Sequence, residues 1–318
     1  MPLIFGKAPG KIILFGEHAV VYGQPAIAIP VTKVKATARV YPEIERKAGR
    51  IGIQASDINL RASLADLPKD HPISTAIKLT LDELKPDHIP ALTIQISSTI
   101  PISGGMGSSA AVSIAIMRGL SAFLGRPLSD ETISDLAYEV EKFHHGTPSG
   151  IDNTVIAFQA PIFFQRGRPI ALLNISKPTH WVIADTGERT PTHETVADVR
   201  AFHEAEPEQT VDIFKKIGIT AQKARTILEF GDVDTLGALM NENQHLLEAL
   251  GVSNQKIDDL IKVALDAGAA GAKLSGGGRG GNIIALAQAD NQELIGNALK
   301  EAGATRVITT MLSESEAL

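Results

Sequence analysis

Four stretches of this 318-residue chain combine residue types that could do chemistry, and one of them is suited to holding a phosphate group. In Pro101-Ile102-Ser103-Gly104-Gly105-Met106-Gly107-Ser108-Ser109-Ala110-Ala111, the glycines permit backbone conformations that turn successive N–H groups toward one point. A helix opening at Ser108 would add free donors and the positive end of its dipole. The hydroxyls of Ser108 and Ser109 sit at that start, where they can reach phosphate or Mg²⁺. This is not the common P-loop, because no Gly-Lys-Ser/Thr follows. Taken alone, the segment also fits a plain glycine loop with a serine cap.

A second stretch runs Pro9-Gly10-Lys11-Ile12-Ile13-Leu14-Phe15-Gly16-Glu17-His18-Ala19-Val20-Val21-Tyr22-Gly23. A charged Glu-His pair between two apolar runs is unusual, although an exposed acid and a satisfied histidine in a turn would also account for it. The third stretch, Lys273-Leu274-Ser275-Gly276-Gly277-Gly278-Arg279-Gly280-Gly281-Asn282, is either a flexible hairpin loop or a loop that must pass close to a ligand or another backbone. Arg279 would be useful beside a phosphate or carboxylate. The fourth, Glu141-Lys142-Phe143-His144-His145-Gly146-Thr147-Pro148-Ser149-Gly150-Ile151-Asp152-Asn153, puts Glu141 near a helix C-terminus, where its charge opposes the dipole. It puts Asp152 after a Pro-Ser-Gly turn and before an expected strand. Turn capping by Asp152 and a solvated helix end at Glu141 are the plainer readings. Adjacent histidines diverge on a helix, so His144 and His145 read as structural or dipole-complementing rather than metal-binding.

The elements that would position these stretches are legible by period. Strands are expected over 11–15, 31–40, 91–98, 154–157, 161–165, 181–184, 270–274, 282–287 and 306–311. Helices are expected over 108–124, over 130–144 with Ser129 as N-cap, and over 192–204, 209–229, 232–249, 254–267 and 292–301. A change in texture near residue 175 divides the chain into 1–175 and 176–318. Composition is ordinary for a globular protein, with 44% hydrophobic and only 4% aromatic residues, so aliphatic packing must dominate the core. A net charge of −6 argues against general attraction to nucleic acid or anionic membrane. The absence of cysteine excludes disulfides, thiolate nucleophiles and cysteine metal sites. Met1-Pro2-Leu3 opens no secretory signal and no spanning run occurs, which reads as cytoplasmic.

Together the stretches resemble the galactokinase, homoserine kinase, mevalonate kinase and phosphomevalonate kinase superfamily, whose three motifs occur here in order. The first is similar to that of the mevalonate kinase branch, since Val20-Val21 replaces the aspartate with which galactokinases read sugar hydroxyls. The resemblance implies ATP and mevalonate as the two ligands, Mg²⁺ as cofactor, and a homodimer as a compatible assembly. Gly104, Gly105, Met106, Gly107, Ser108, Ser109 and Ala110 would wrap the ATP phosphates. Ser109 and Glu141 would hold Mg²⁺. Asp152 matches the catalytic aspartate, and Lys11 the lysine beside it. Glu17, His18, Thr192, Gly277 and Arg279 would line the acceptor side, with Asp185-Thr186-Gly187 nearby.

The implied fold is α+β in two domains, the N-terminal one like ribosomal protein S5 domain 2 and the C-terminal one ferredoxin-like, with a cleft between them. Departures from the family pattern are Met106 for leucine, the Gly277, Arg279 and Asn282 positions, and Arg189 and His193 around Thr192. Arg279 keeps open a related acceptor, such as phosphomevalonate or the 3-hydroxyl of mevalonate. A catalytically inactive ligand-binding homologue is a further alternative, against which the retained Lys11, Glu141 and Asp152 argue.

Overall fold

The computed structural model describes residues 4–101, 104–145, 148–231 and 235–313. Readings that touch Met1-Pro2-Leu3, Ile102-Ser103, Gly146-Thr147 and the expected helix start at Asp232 lie outside them, as do the side chains of His144 and His145. Strand β1 (Ile4–Phe15) pairs with the long β2 (Ala26–Pro42). The chain groups into two compact units that are interleaved in sequence. One holds residues 1–11, 30–102 and 106–159; the other holds 12–29, 103–105 and 160–318.

In the first unit the C-terminal half of β2 pairs antiparallel with β5 (Leu92–Ser98). β5 in turn pairs parallel with β3 (Ile51–Ala55), and β3 pairs antiparallel with β4 (Leu60–Ser63). Helices α1 (Pro72–Leu84), α2 (Ser108–Phe123), α3 (Asp130–His145) and α4 (Ile151–Phe158) pack on one another in this unit. As expected, α2 is buried on most sides. Its close approach to β1 is set by glycine: a Cβ on Gly6 would lie 2.0 Å from the Ala115 carbonyl oxygen and 2.3 Å from the Gly119 nitrogen. Ser129 caps α3 as expected, accepting from the Thr132 N–H at 3.2 Å.

Residues 154–157 depart from expectation, because they are helical and not a strand. The β-branched run Thr154-Val155-Ile156 suits a strand locally, yet Gly150, at φ 91°, opens α4 there. Two tertiary bonds fix it. Asn153 Nδ2 donates to the Ser134 carbonyl at 3.1 Å and to Ser134 Oγ at 3.0 Å.

The second unit contains an antiparallel sheet of β8 (Thr179–Asp185), β9 (Gly271–Ser275), β10 (Asn282–Ala287) and β11 (Arg306–Leu312), in the order β11-β8-β10-β9. Helices α5 (Thr192–Ala205), α6 (Pro207–Phe230), α7 (Leu236–Ala249) and α8 (Gln255–Asp266) come between β8 and β9, and α9 (Gln292–Glu301) comes between β10 and β11. Strand, helices, strand, strand, helix, strand is the ferredoxin-like pattern. The short β6 (Ile162–Phe164) pairs with the start of β2 and with β7 (Ala171–Leu172). The core of this unit is aliphatic, built on residues such as Val182, Ala184, Leu247, Leu260, Ile283 and Leu299. Strand β9 lies at the sheet edge. Its outward N–H groups are met by α7, where Asn241 Oδ1 accepts from Ala272 and Gln244 Oε1 from Leu274. Among the described residues no helix is long and apolar enough to cross a membrane.

Candidate active site

In the first unit the end of the expected phosphate loop turns through a left-handed conformation at Gly107, at φ 70°; Gly105, grouped with the second unit, has the same φ. Gly107 is the N-cap of α2 and has no side chain with which to cap that end. The Ala111 N–H bonds back to the Gly107 carbonyl at 2.9 Å. The N–H groups of Ser108, Ser109 and Ala110 therefore precede the helical ladder, the arrangement that favours an anion. A Cβ on Gly107 would meet Ile156 Cδ1 at 2.7 Å and Lys11 Cγ at 3.1 Å, so glycine leaves the room in which the Lys11 stem lies. The Lys11 N–H also donates to the Met106 carbonyl at 3.0 Å, which ties β1 to this loop.

Lys11 does not open its strand, as the sequence suggested, but sits inside β1 and is 4% exposed. Its Nζ lies 2.7 Å from Asp152 Oδ1. Asp152 is the second residue of α4, where the helix dipole favours a negative charge. Its side chain keeps about a third of its surface open (34%) while that of Lys11 keeps 5%. The pair thus presents a carboxylate with one accessible side, anchored from the other by a buried ammonium.

Glu141 is buried on α3 and is not a solvated helix end. Its Oε1 accepts from Ser109 Oγ at 2.9 Å. An all-oxygen pair of one carboxylate and one hydroxyl fits Mg²⁺, which takes one or two carboxylates and completes its shell with phosphate oxygens and water. Among the described residues no group of three or more metal-ligating side chains gathers.

In the second unit the Glu17-His18 turn follows β1. Glu17 is sealed, with its carboxylate on the ammonium of Lys273, and neither side chain is exposed. Lys273 Nζ also donates to the Leu274 carbonyl at 2.6 Å. Burial lowers the Lys273 pKa, and the Glu17 charge and hydrogen bond oppose that shift. His18 Nε2 lies 3.0 Å from the Gly277 carbonyl. A carbonyl only accepts, so Nε2 carries the proton. Burial drives the His18 pKa down to about 4, with the Gly277 bond opposing and the Arg279 charge assisting. His18 is therefore a neutral imidazole at physiological pH.

Thr192 starts α5 beside Gly277, where a Cβ would meet Thr192 Oγ1 at 3.2 Å. Asp185 ends β8 and takes a two-pronged bond from Arg189, with both distances 2.7 Å, together with the Gly187 N–H at 2.9 Å. Burial alone would raise its pKa; the Arg189 hydrogen bond, the Gly187 N–H, and the charges of Arg189 and Arg306 outweigh it and hold the carboxyl below its ordinary value. The unexpected Arg189 thus has a partner.

Arg279 has protein partners too. Its NH1 pairs with Asp198 on α5, and its Nε donates to the Gly251 carbonyl at 3.0 Å. Its backbone carbonyl accepts from Thr190 Oγ1 at 2.7 Å, and its N–H donates to Val252 at 2.7 Å. Asn282 donates its amide to the Gly104 carbonyl.

Lys273 and Asp198 were not singled out by sequence reasoning. A lysine in the apolar run Gly271-Ala272-Lys273-Leu274 was a usable signal, because a charge buried in a strand needs a partner. Asp198, on a half-exposed helix, gave none.

Residues 71–160 match the family description for the GHMP kinases N terminal domain, and residues 223–305 that for the GHMP kinases C terminal domain. The mevalonate kinase of Pyrococcus furiosus is 36% identical over an alignment covering 98% of this chain and 97% of its own. Among solved structures, the L. major mevalonate kinase in complex with R-mevalonate superposes with a TM-score of 0.83 at 29% identity, covering 100% of this chain and 97% of that one. The Methanococcus jannaschii mevalonate kinase gives 0.85 at 27% identity, covering 99% of each chain. With both halves of the family present in order and relatives aligned from end to end, the chain belongs to the GHMP kinase family.

Proposed function

We propose that this chain transfers the γ-phosphoryl group of ATP to the primary hydroxyl of mevalonate, giving 5-phosphomevalonate and ADP. The observation that carries the chemistry is the Lys11–Asp152 pair at 2.7 Å beside the uncapped start of α2. The near full-length likeness to mevalonate kinases supports the choice of acceptor. Phosphoryl transfer relies on positioning and charge stabilisation more than on covalent chemistry. The N–H groups of Ser108, Ser109 and Ala110 bind phosphate oxygens, aided by the α2 dipole. Asp152 takes the proton from the acceptor hydroxyl through its open side. Lys11 holds Asp152 in place and offsets charge that develops on the attacking oxygen. Ser109 and Glu141 would hold Mg²⁺, which when bound would neutralise phosphate charge.

His18, Thr192 and Gly277 form the proposed acceptor set. Glu17 acts on it from behind, since its carboxylate is committed to Lys273. Arg279, close to Gly277 in sequence, belongs to the same proposed set and is held by its bonds to Asp198 and Gly251. Incubation of the chain with ATP, Mg²⁺ and, separately, mevalonate and phosphomevalonate, with the products read by phosphorus NMR, tests the proposal. A phosphomonoester on the mevalonate primary carbon is expected. Product from phosphomevalonate alone would reassign the acceptor, and no product from either would favour an inactive homologue.

A further inference from the structure

The second unit contains a fully buried ion pair that the proposed chemistry does not use. Burying two charges is expensive and gives little net stability compared with well-packed apolar residues, so such a pair calls for a reason beyond stability. The reason lies in what surrounds it. Lys273 and Ser275 are two apart on β9 and share a face of the strand. Lys273 binds Glu17. Ser275 Oγ accepts from the Ile13 N–H at 3.1 Å and donates to the Ile13 carbonyl at 2.9 Å. Two residues further on, the Gly277 carbonyl takes the His18 Nε2–H. Three positions at a spacing of two thus grip one short stretch, Ile13 to His18, and the charged grip lies next to His18 in sequence. β9 is itself held from its outer edge by Asn241 and Gln244 of α7, so it is a firm base.

We infer that Lys273 is a positioning residue of the reaction: through Glu17 it fixes the turn that aims His18 at the acceptor. The inference rests on the proposed function for the identity of that acceptor. Neutral substitutes at both positions 17 and 273 fill similar space but lack the charge-assisted bond that sets the turn.

The test compares wild type, K273M, E17M and the double variant E17Q/K273M. Each is measured for thermal melting, both Michaelis constants, and the His18 titration followed by NMR. K273M removes the ammonium from the buried Glu17 carboxylate and should melt well below wild type. The double variant removes both charges and should recover most of that melting temperature. Its Michaelis constant for mevalonate should remain raised at least about tenfold, with that for ATP within about twofold, because a loosened turn misplaces His18 without touching the phosphate loop. The His18 pKa should move from about 4 toward its ordinary 6.5 as water reaches the ring.

A double variant with the wild-type mevalonate constant and an unmoved His18 titration would overturn the inference, leaving the pair a role in folding alone. If the double variant does not fold, E17M decides on the same two readouts, since Met accepts nothing from Lys273, which keeps its bond to the Leu274 carbonyl. Wild-type values there overturn the inference as well. Absence of mevalonate turnover in the wild-type chain would count against the proposed function only, because the His18 titration reports on the turn whatever the substrate.

Discussion

The molecule contains the same pair of groups twice, a lysine against a carboxylate, and the two regions differ in how far they expose it. In the first unit Lys11 is buried and Asp152 keeps about a third of its side chain open, 2.7 Å away. In the second unit Lys273 and Glu17 are both closed off completely. A carboxylate with an open side can meet a hydroxyl and take its proton. A sealed one cannot exchange anything and can only hold its neighbours in place. Residue type alone does not separate reactant from scaffold; the accessible side of the carboxylate does.

The largest effect should come from closing the open pair chemically. D152N keeps shape but cannot take a proton, and general-base assistance is typically worth 10²–10⁴-fold. Turnover should fall by about 10³-fold while ATP binding, followed by nucleotide titration, stays within about threefold. Turnover within tenfold of wild type would remove Asp152 from the base role and erase the contrast with Glu17. Next in size is E141Q. Replacing the carboxylate bonded to Ser109 should raise the Mg²⁺ concentration for half-maximal rate by at least about tenfold, and the mevalonate Michaelis constant much less. An unchanged Mg²⁺ dependence would return Glu141 to a purely structural part.

The closed region should show itself in stability against pH. The His18 pKa is lowered to about 4 in the folded chain from its ordinary 6.5. Above 6.5 both folded and unfolded chains carry a neutral ring, so its contribution is constant. As the pH falls from 6.5 toward 4 the unfolded chain binds the proton first, and stability is lost through that window. A difference of this size corresponds to roughly 3 kcal/mol. Denaturant unfolding between pH 7 and 4 should therefore show a steeper loss for wild type than for H18Q. Parallel curves would mean that the ring already exchanges with water, and that this region is not closed.

The sequence made the open region easier to read than the closed one, because its signals are local. Glycines before Ser108, a serine cap at 129, and an aspartate after Pro-Ser-Gly all lie within a few residues of the helix starts they mark. One local signal misled: Thr154-Val155-Ile156 has strand preference, and only the bond from Asn153 to Ser134 and burial against the other helices turn it helical. Helix α1 and strands β3 and β4 escaped because their apolar positions are short or interrupted. The Glu17–Lys273 pair joins residues 256 apart in the chain. Nothing near Glu17 announces Lys273; the fold brings them together. Arg279 was read for its charge among glycines, and its partner Asp198 lies 81 residues away.

Arg279 therefore gives the smallest expected effect. Its φ is 51°, a left-handed conformation in which glycine is unstrained and other residues carry a penalty of roughly 1–2 kcal/mol. Against that stands its pair with Asp198, whose side chains are 35% and 57% exposed. An ion pair this open contributes at most about 1 kcal/mol, and the Gly251 bond adds a similar amount. The terms nearly cancel, so R279G should melt within about 3 °C of wild type. Both Michaelis constants should stay within about threefold, because the guanidinium is committed to α5 and to the end of α7, while the backbone contacts to Val252 and Thr190 survive in glycine. D198A should behave alike, and the double variant should be no worse than either single one. A tenfold rise in the ATP constant for R279G, absent from D198A, would show that the guanidinium leaves Asp198 for a phosphate during turnover. Such a rise for mevalonate would assign it to the acceptor carboxylate. Either result would move Arg279 from the scaffold side of the comparison to the reacting side.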